Sequence, residues 1–277
     1  VDSYYGAAGA VLKEAASEGV MRPVIALHEA EKLLSADEIR AGLARSPMVQ
    51  AALQGRAVAP EEPKPNALRH NLVAHDDRTG TDAPFDDRRW PDMAARIDRA
   101  WDVIQTLFEP DRLDQAMADR PLPQVLVHSK GAHLGGLIGT RANYDDGTNK
   151  LHLAHNDPVE VIVHEFCHYL EESLPFDALG GTKHLLEDRA QGSRDLSNIF
   201  GPVMTDERMY SEGGSAFGRY GQKYYKDATE VLSMGGEYLS DPRTARQLVE
   251  QDPGLALMLL RVMRPTEYAQ VMEHMLA

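Results

Sequence analysis

Asp157-Pro158-Val159-Glu160-Val161-Ile162-Val163-His164-Glu165-Phe166-Cys167-His168-Tyr169-Leu170 is the stretch on which the reading of this chain turns. Asp157 stands where a helix cap belongs, Pro158 suits a first turn, and Glu160 three residues on completes a capping-box pattern. Val159, Val161, Ile162, Val163, Phe166 and Leu170 then cover most of the helix circumference, so the polar residues among them need a reason. His164 and His168 are four apart and project from one face, within reach of a single zinc ion. Glu165 lies about 100° round the helix from His164, where a carboxylate can take a proton from water acidified by the metal. An ordinary buried helix could carry the same pattern by chance. The helix signal, the apolar surround and a β-rich run ahead of it together favour the metal reading.

Working outward, Pro123-Gln124-Val125-Leu126-Val127-His128 reads as a strand. Gly135 to Tyr144 and Lys150 to Ala154 offer two more, joined by Asp145-Asp146-Gly147. Upstream, Met93 to Leu107 spaces Ala94, Ile97, Trp101, Ile104 and Leu107 as one face of an amphipathic helix. Tyr4 to Gln54 favours helices, with a capping-box signal at Ser35 and Glu38. Pro60, Pro63, Pro65, Pro84 and Pro91 among many charges predict a long loop between residues 57 and 92. Beyond Asp241-Pro242, the apolar run from Leu255 to Met263 reads as one or two packed helices. The expected division is a helical N-terminal region with a Pro-rich loop, residues 1–115, and a second domain over residues 116–277.

With 277 residues the chain can bury a substantial core. Its formal charge of -14 opposes an extended nucleic-acid interface. No apolar run approaches the ~20 residues of a membrane span, so the chain reads as soluble. A start at Val1-Asp2-Ser3, without methionine or a secretory signal, suggests an excised domain. The single cysteine, Cys167, supports neither a disulfide nor a thiolate metal site; inside the motif it reads as an inert buried thiol.

Two histidines leave tetrahedral zinc one protein ligand short. Glu171 and Leu174 stand where the metzincin pattern needs glycine and histidine, which excludes that class. Glu171 is an awkward ligand on the same straight helix, and solvent exposure or an orienting role suits it better. Glu230, in Asp227-Ala228-Thr229-Glu230-Val231-Leu232-Ser233-Met234-Gly235-Gly236-Glu237, is open to two readings on the residues alone: third ligand, or partner of Asp227 in a capping box that satisfies backbone.

From about Pro123 to Leu239 the chain resembles gluzincin-type HExxH metallopeptidases, in particular catalytic domains of bacterial polymorphic toxins and phage-related proteins. The resemblance is carried by Arg141-Ala142-Asn143-Tyr144 through Asn149-Lys150-Leu151-His152-Leu153, by the His164–His168 segment, and by Thr229 to Gly235. It implies Glu230 as the third zinc ligand and an edge strand, corresponding to Asn149–Leu153, that holds an extended peptide. It also implies an upstream tyrosine as oxyanion donor, here Tyr225 in preference to Tyr220 or Tyr224. Met234 stands where gluzincins often carry an acidic residue four positions after the ligand glutamate. Ser233 and Glu237 are the candidates to take over its orienting role.

The glycines between Gly131 and Gly139 match no phosphate loop, and His152, His155 and His184 read as structural. The resulting expectation is an α+β fold: a zincin-like domain with a small mixed sheet and an active-site helix, flanked by N- and C-terminal helices. It holds Zn2+ on His164, His168 and Glu230, with Glu165 as base and Tyr225 assisting. The expected activity is endopeptidase cleavage of a protein or peptide substrate, without nucleic acid. The resemblance adds a bacterial effector or toxin made in the cytoplasm and secreted or delivered to a target cell. The rival expectation is a non-enzymatic, zinc-stabilised interaction domain of a phage or secretion assembly.

Overall fold

A computed structural model describes residues 34–56, 64–76, 79–129, 142–174, 193–195, 208–210, 223–224 and 230–276. Within them the architecture is α+β. Ten helices run in chain order: α1 (Ala36–Leu43), α2 (Pro47–Gln54), α3 (Ala67–His70), α4 (Pro91–Leu107), α5 (Pro110–Asp119), α6 (Val159–Ser173), α7 (Val231–Ser240), α8 (Pro242–Gln251), α9 (Pro253–Met263) and α10 (Pro265–Leu276). A five-stranded mixed sheet is built from β1 (Leu72–Asp76), β2 (Thr81–Pro84), β3 (Gln124–His128), β4 (Asn143–Asp145) and β5 (Lys150–Ala154), in the order β2-β1-β3-β5-β4. Its three central strands are parallel, and β2 and β4 run antiparallel at the edges. A separate three-stranded antiparallel ladder joins β6 (Ser193–Asp195), β7 (Arg208–Tyr210) and β8 (Lys223–Tyr224). No helix of the described residues is long and apolar enough to cross a membrane.

Alternation along the strands decides which face meets the helices. Val125, Val127, Leu151 and Leu153 are wholly buried and belong to one core with Ile97, Trp101, Ile162, Phe166 and Leu170. Trp101 of α4 meets Phe166 of α6 edge-on, with centroids 6.0 Å apart. Tyr144 of β4 lies on the same sheet face and packs edge-on against Tyr169 of α6.

The expected loop over residues 57–92 is corrected: α3, β1 and β2 all form within it. Leu72-Val73-Ala74-His75 forms β1, which lies inside the sheet between β2 and β3. Prolines and charges obscured a strand too short to announce itself, and Pro84 is tolerated because β2 is an edge. The sheet therefore draws strands from both sides of the boundary expected at 115/116. Downstream there are three helices after Asp241, not one or two. Asp241 and Asp252 cap α8 and α9 with their side chains, and each of α8, α9 and α10 opens on a proline that ends the preceding helix.

Helix α6 starts at Val159 with Pro158 at its N-cap, one residue later than the expected cap at Asp157. Asp157 Oδ2 accepts from the Ala154 N–H at 2.6 Å, closing the turn out of β5, and makes no cap bond to α6. The far end of α6 is tied down by Arg120. Its guanidinium pairs with Glu172, donates to the Asp146 carbonyl at 2.9 Å and lies over the Tyr144 ring. One planar cation thus joins the end of α5, the last turn of α6 and the β4–β5 turn.

Helix α7 is wedged between α6 and α9 by two adjacent glycines. A Cβ at Gly236 would stand 2.5 Å from Cys167 Sγ and 3.2 Å from Val163 Cγ1, and one at Gly235 would stand 2.4 Å from Leu259 Cδ2. Both helices lack room for a methyl group there. Gly236→Ala is expected to cost about 1–3 kcal/mol through overpacking, measured by urea unfolding, and Cys167→Ala introduced with it should recover a large part of that loss. Strict additivity of the two substitutions would show that this contact does not limit the helix approach.

His152 of β5 supplies a second prediction. Burial and then His128 push its pKa down to about 4, with Lys150 and His75 adding to the shift and Asp145 opposing it. The unfolded ring protonates near 6.5 and the folded ring does not until about 4. Its contribution to stability is therefore complete above the unfolded value and is lost as the pH falls from 6.5 toward 4. After allowing for partial solvation the loss is roughly 1–2 kcal/mol. Unfolding free energies of wild type and His152→Gln should converge over that window; a constant difference would contradict it.

Candidate metal centre

Two helices bring the site together. His164 and His168 lie one turn apart on α6 with rings 5.0 Å apart, and Glu230 is the residue from which α7 starts. Glu230 Oε2 lies 3.4 Å from His164 Nε2 and 3.3 Å from His168 Nε2. Ligand atoms of the three residues all fall within 4.8 Å of one another, and no other group of His, Cys, Asp or Glu among the described residues does this. Glu230 is 1 % exposed. Glu230 occupies the N-cap position of α7, its side chain makes no cap bond to that helix, and its carboxylate turns to the imidazoles; Asp227, its partner in the capping-box reading, lies outside the described residues.

Neighbouring groups hold these side chains in register. Ser233 Oγ donates to Glu230 Oε2 at 3.0 Å. Glu237, one further turn along α7, accepts from His164 Nδ1 at 2.8 Å, which leaves Nε2 as the nitrogen facing Glu230. The orienting carboxylate thus sits seven residues after Glu230, and Met234, four residues after it, packs into the core. Both residues considered from the sequence for an orienting role bond to members of this cluster, Ser233 to Glu230 and Glu237 to His164.

The electrostatics suit a cation. Burial works against charge on His164, but Glu230 and Glu237 outweigh it and raise the pKa to about 9. Burial opposes charge on His168 as well, and Glu230 again prevails. For Glu230 itself burial would raise the pKa, yet the two imidazoles hold the carboxyl far below the usual range. A buried carboxylate that draws positive charge onto two imidazoles provides the field a divalent ion needs, and two nitrogens with one oxygen form a donor set suited to zinc. The His164, His168 and Glu230 group could therefore hold a metal ion.

Glu165 is 4 % exposed. Its Oε2 accepts from the Tyr144 N–H at 2.9 Å, so the carboxylate is anchored to the edge strand and stays out of the ligand cluster. A backbone donor from another element carries no side-chain signature, and nothing in the sequence announced it. β4, not the Asn149–Leu153 segment, is the edge strand beside α6: β5 is paired on one side with β3 and on the other with β4. Glu171 is buried rather than exposed, at 5 %, and does not join the cluster. Cys167 is fully buried, and burial pushes its thiol pKa up. His155 stacks edge-on against Trp90. Tyr220, Tyr225, His184 and the glycines from Gly131 to Gly139 lie outside the described residues.

Comparison of the chain with protein-family models, curated proteins and solved structures returns no match.

Removing the carboxylate behind His164 tests the centre. Glu237→Gln should weaken zinc binding about 10-fold or more in a competition titration with a chromogenic chelator, with the fold retained by circular dichroism. Unchanged affinity would show that His164 needs no partner at Nδ1.

Proposed function

We propose that this chain is a zinc-dependent endopeptidase of gluzincin type, with a zincin-like arrangement of sheet edge and active helix. The observation that carries the reading is the approach of Glu230 to His164 and His168 with Glu165 held separately beside them. A ligand triad next to an unused, positioned carboxylate is the arrangement metal-assisted hydrolysis requires.

His164, His168 and Glu230 would hold the ion. When bound, zinc supplies Lewis-acid polarisation of a carbonyl and brings the pKa of water toward neutrality. Glu237 fixes the ring of His164 through Nδ1, and Ser233 fixes the Glu230 carboxylate. The Tyr144 N–H holds one oxygen of Glu165, leaving the other to take a proton from the attacking water and deliver it to the leaving amine. An extended substrate would lie along β4 as an added strand, using main-chain hydrogen bonds for affinity and side-chain pockets for selectivity.

The test compares wild type, Glu165→Gln and Glu230→Ala for zinc content and for cleavage of an unfolded protein substrate such as fluorescently labelled casein. Wild type should bind one zinc at the helix site and cleave. Glu165→Gln should keep the zinc and lose at least 100-fold in turnover, in line with removal of a general base. Glu230→Ala should lose both. Undiminished cleavage by zinc-loaded Glu165→Gln would remove the assigned base, and zinc retained without cleavage in wild type would favour a structural metal.

A further inference from the structure

Tyr144 carries the donor that fixes Glu165, yet the sheet does little to fix Tyr144. β4 is three residues long, and among the described residues it pairs with β5 alone. Tyr144 stands opposite Leu151 in that ladder, and antiparallel strands direct their N–H groups to the partner only at alternate residues. The Tyr144 N–H goes to Glu165 Oε2 at 2.9 Å, so this donor is not held by a ladder bond.

Its placement comes from the side chain. The Tyr144 ring lies under the Arg120 guanidinium at 5.7 Å and packs edge-on against Tyr169 at 6.1 Å. The hydroxyl donates to Asn149 Oδ1 at 2.9 Å, and the Asn149 amide donates to the Pro121 carbonyl at 2.9 Å. The Tyr169 hydroxyl donates to the Arg120 carbonyl at 3.0 Å. Each of these anchors leads to α6 or to Arg120 and its neighbour Pro121. Arg120 is itself tied to α6 through Glu172. The last turn of that helix carries Glu171 and Glu172 and no basic residue, the wrong sign for a helix C-terminus, and Arg120 supplies the missing cation. Burial pushes the Glu172 pKa up and Arg120 opposes that shift, so guanidinium and carboxylate form a half-buried pair of directed geometry.

We propose that Arg120 is a positioning residue of the α6–α7 centre: stacked on Tyr144 and paired with Glu172, it sets where the Tyr144 N–H meets α6 and hence where the Glu165 carboxylate points. The planar fork stacks and pairs at once, which an ammonium cannot do. Its effect on turnover rests on the peptidase reading; its hold on Tyr144 does not.

The test compares the full chain as wild type, Arg120→Met, Arg120→Lys and Glu172→Gln, each checked for fold by circular dichroism. Amide hydrogen exchange followed by NMR should show the Tyr144 N–H exchanging about 10-fold faster in Arg120→Met, while amides of β3 and β5 keep their protection. Arg120→Lys should restore little of it. Glu172→Gln keeps the guanidinium but cuts its tie to α6; it should move Tyr144 in the same direction by less, and it decides the matter if Arg120→Met does not fold. In cleavage of labelled casein, Arg120→Met should lower kcat about 10-fold with KM and zinc content unchanged, since a small displacement of a catalytic group acts on turnover. Added to Glu165→Gln, Arg120→Met should cost nothing further. Wild-type protection of Tyr144 in both Arg120→Met and Glu172→Gln, or the same loss of turnover with and without Glu165, overturns the proposal. Absence of cleavage by wild type would sink the peptidase reading and leave the exchange rates to decide the hold of Arg120 on Tyr144.

Discussion

The close contact of α6 with α7 governs what the rest of the molecule can do. The backbone of Gly236 rests against Cys167 and Val163, and Glu230 leads into the same helix. Helices separated by ordinary side chains sit 8–10 Å apart. Even a small outward shift of α7 would lengthen both contacts between Glu230 and the histidines, which already stand at 3.3 and 3.4 Å. The residues that determine the ligand geometry are thus a glycine and a thiol with no polar role of their own.

Stability alone gives little reason to keep such a cluster. A carboxylate with 1 % exposure and two imidazoles drawn toward their charged forms combine burial cost with mutual attraction, a balance that well-packed apolar residues would often improve on. The arrangement makes chemical sense as a receptor for positive charge. Glu237 and Ser233 support this view, since each directs its polar atom to a member of the cluster.

How much could be read from the chain follows from the range over which each signal acts. Helix α6, its paired histidines and Glu165 are encoded within fifteen residues, and helical periodicity makes their common face calculable. Glu230 was visible but ambiguous, because one residue type serves both helix caps and metals; its closeness to the α6 histidines, which favours the metal reading, is a property of the fold alone. Strand β1 was lost in proline-rich, charged surroundings, although Leu72-Val73-Ala74-His75 has ample β propensity once a sheet is there to receive it. The edge position was assigned one strand too far inward because strand order is a property of pairing and not of sequence order.

Tyr144 ends up with two mechanical connections. Its backbone N–H grips Glu165, and its ring is pinned under Arg120, which also grips Glu172 and the Asp146 carbonyl. Any force on the outer side of β4 is felt at the carboxylate through a single residue, while the guanidinium acts as the fulcrum. Under the proposed reading the enzyme would thereby couple docking to the setting of its proton acceptor.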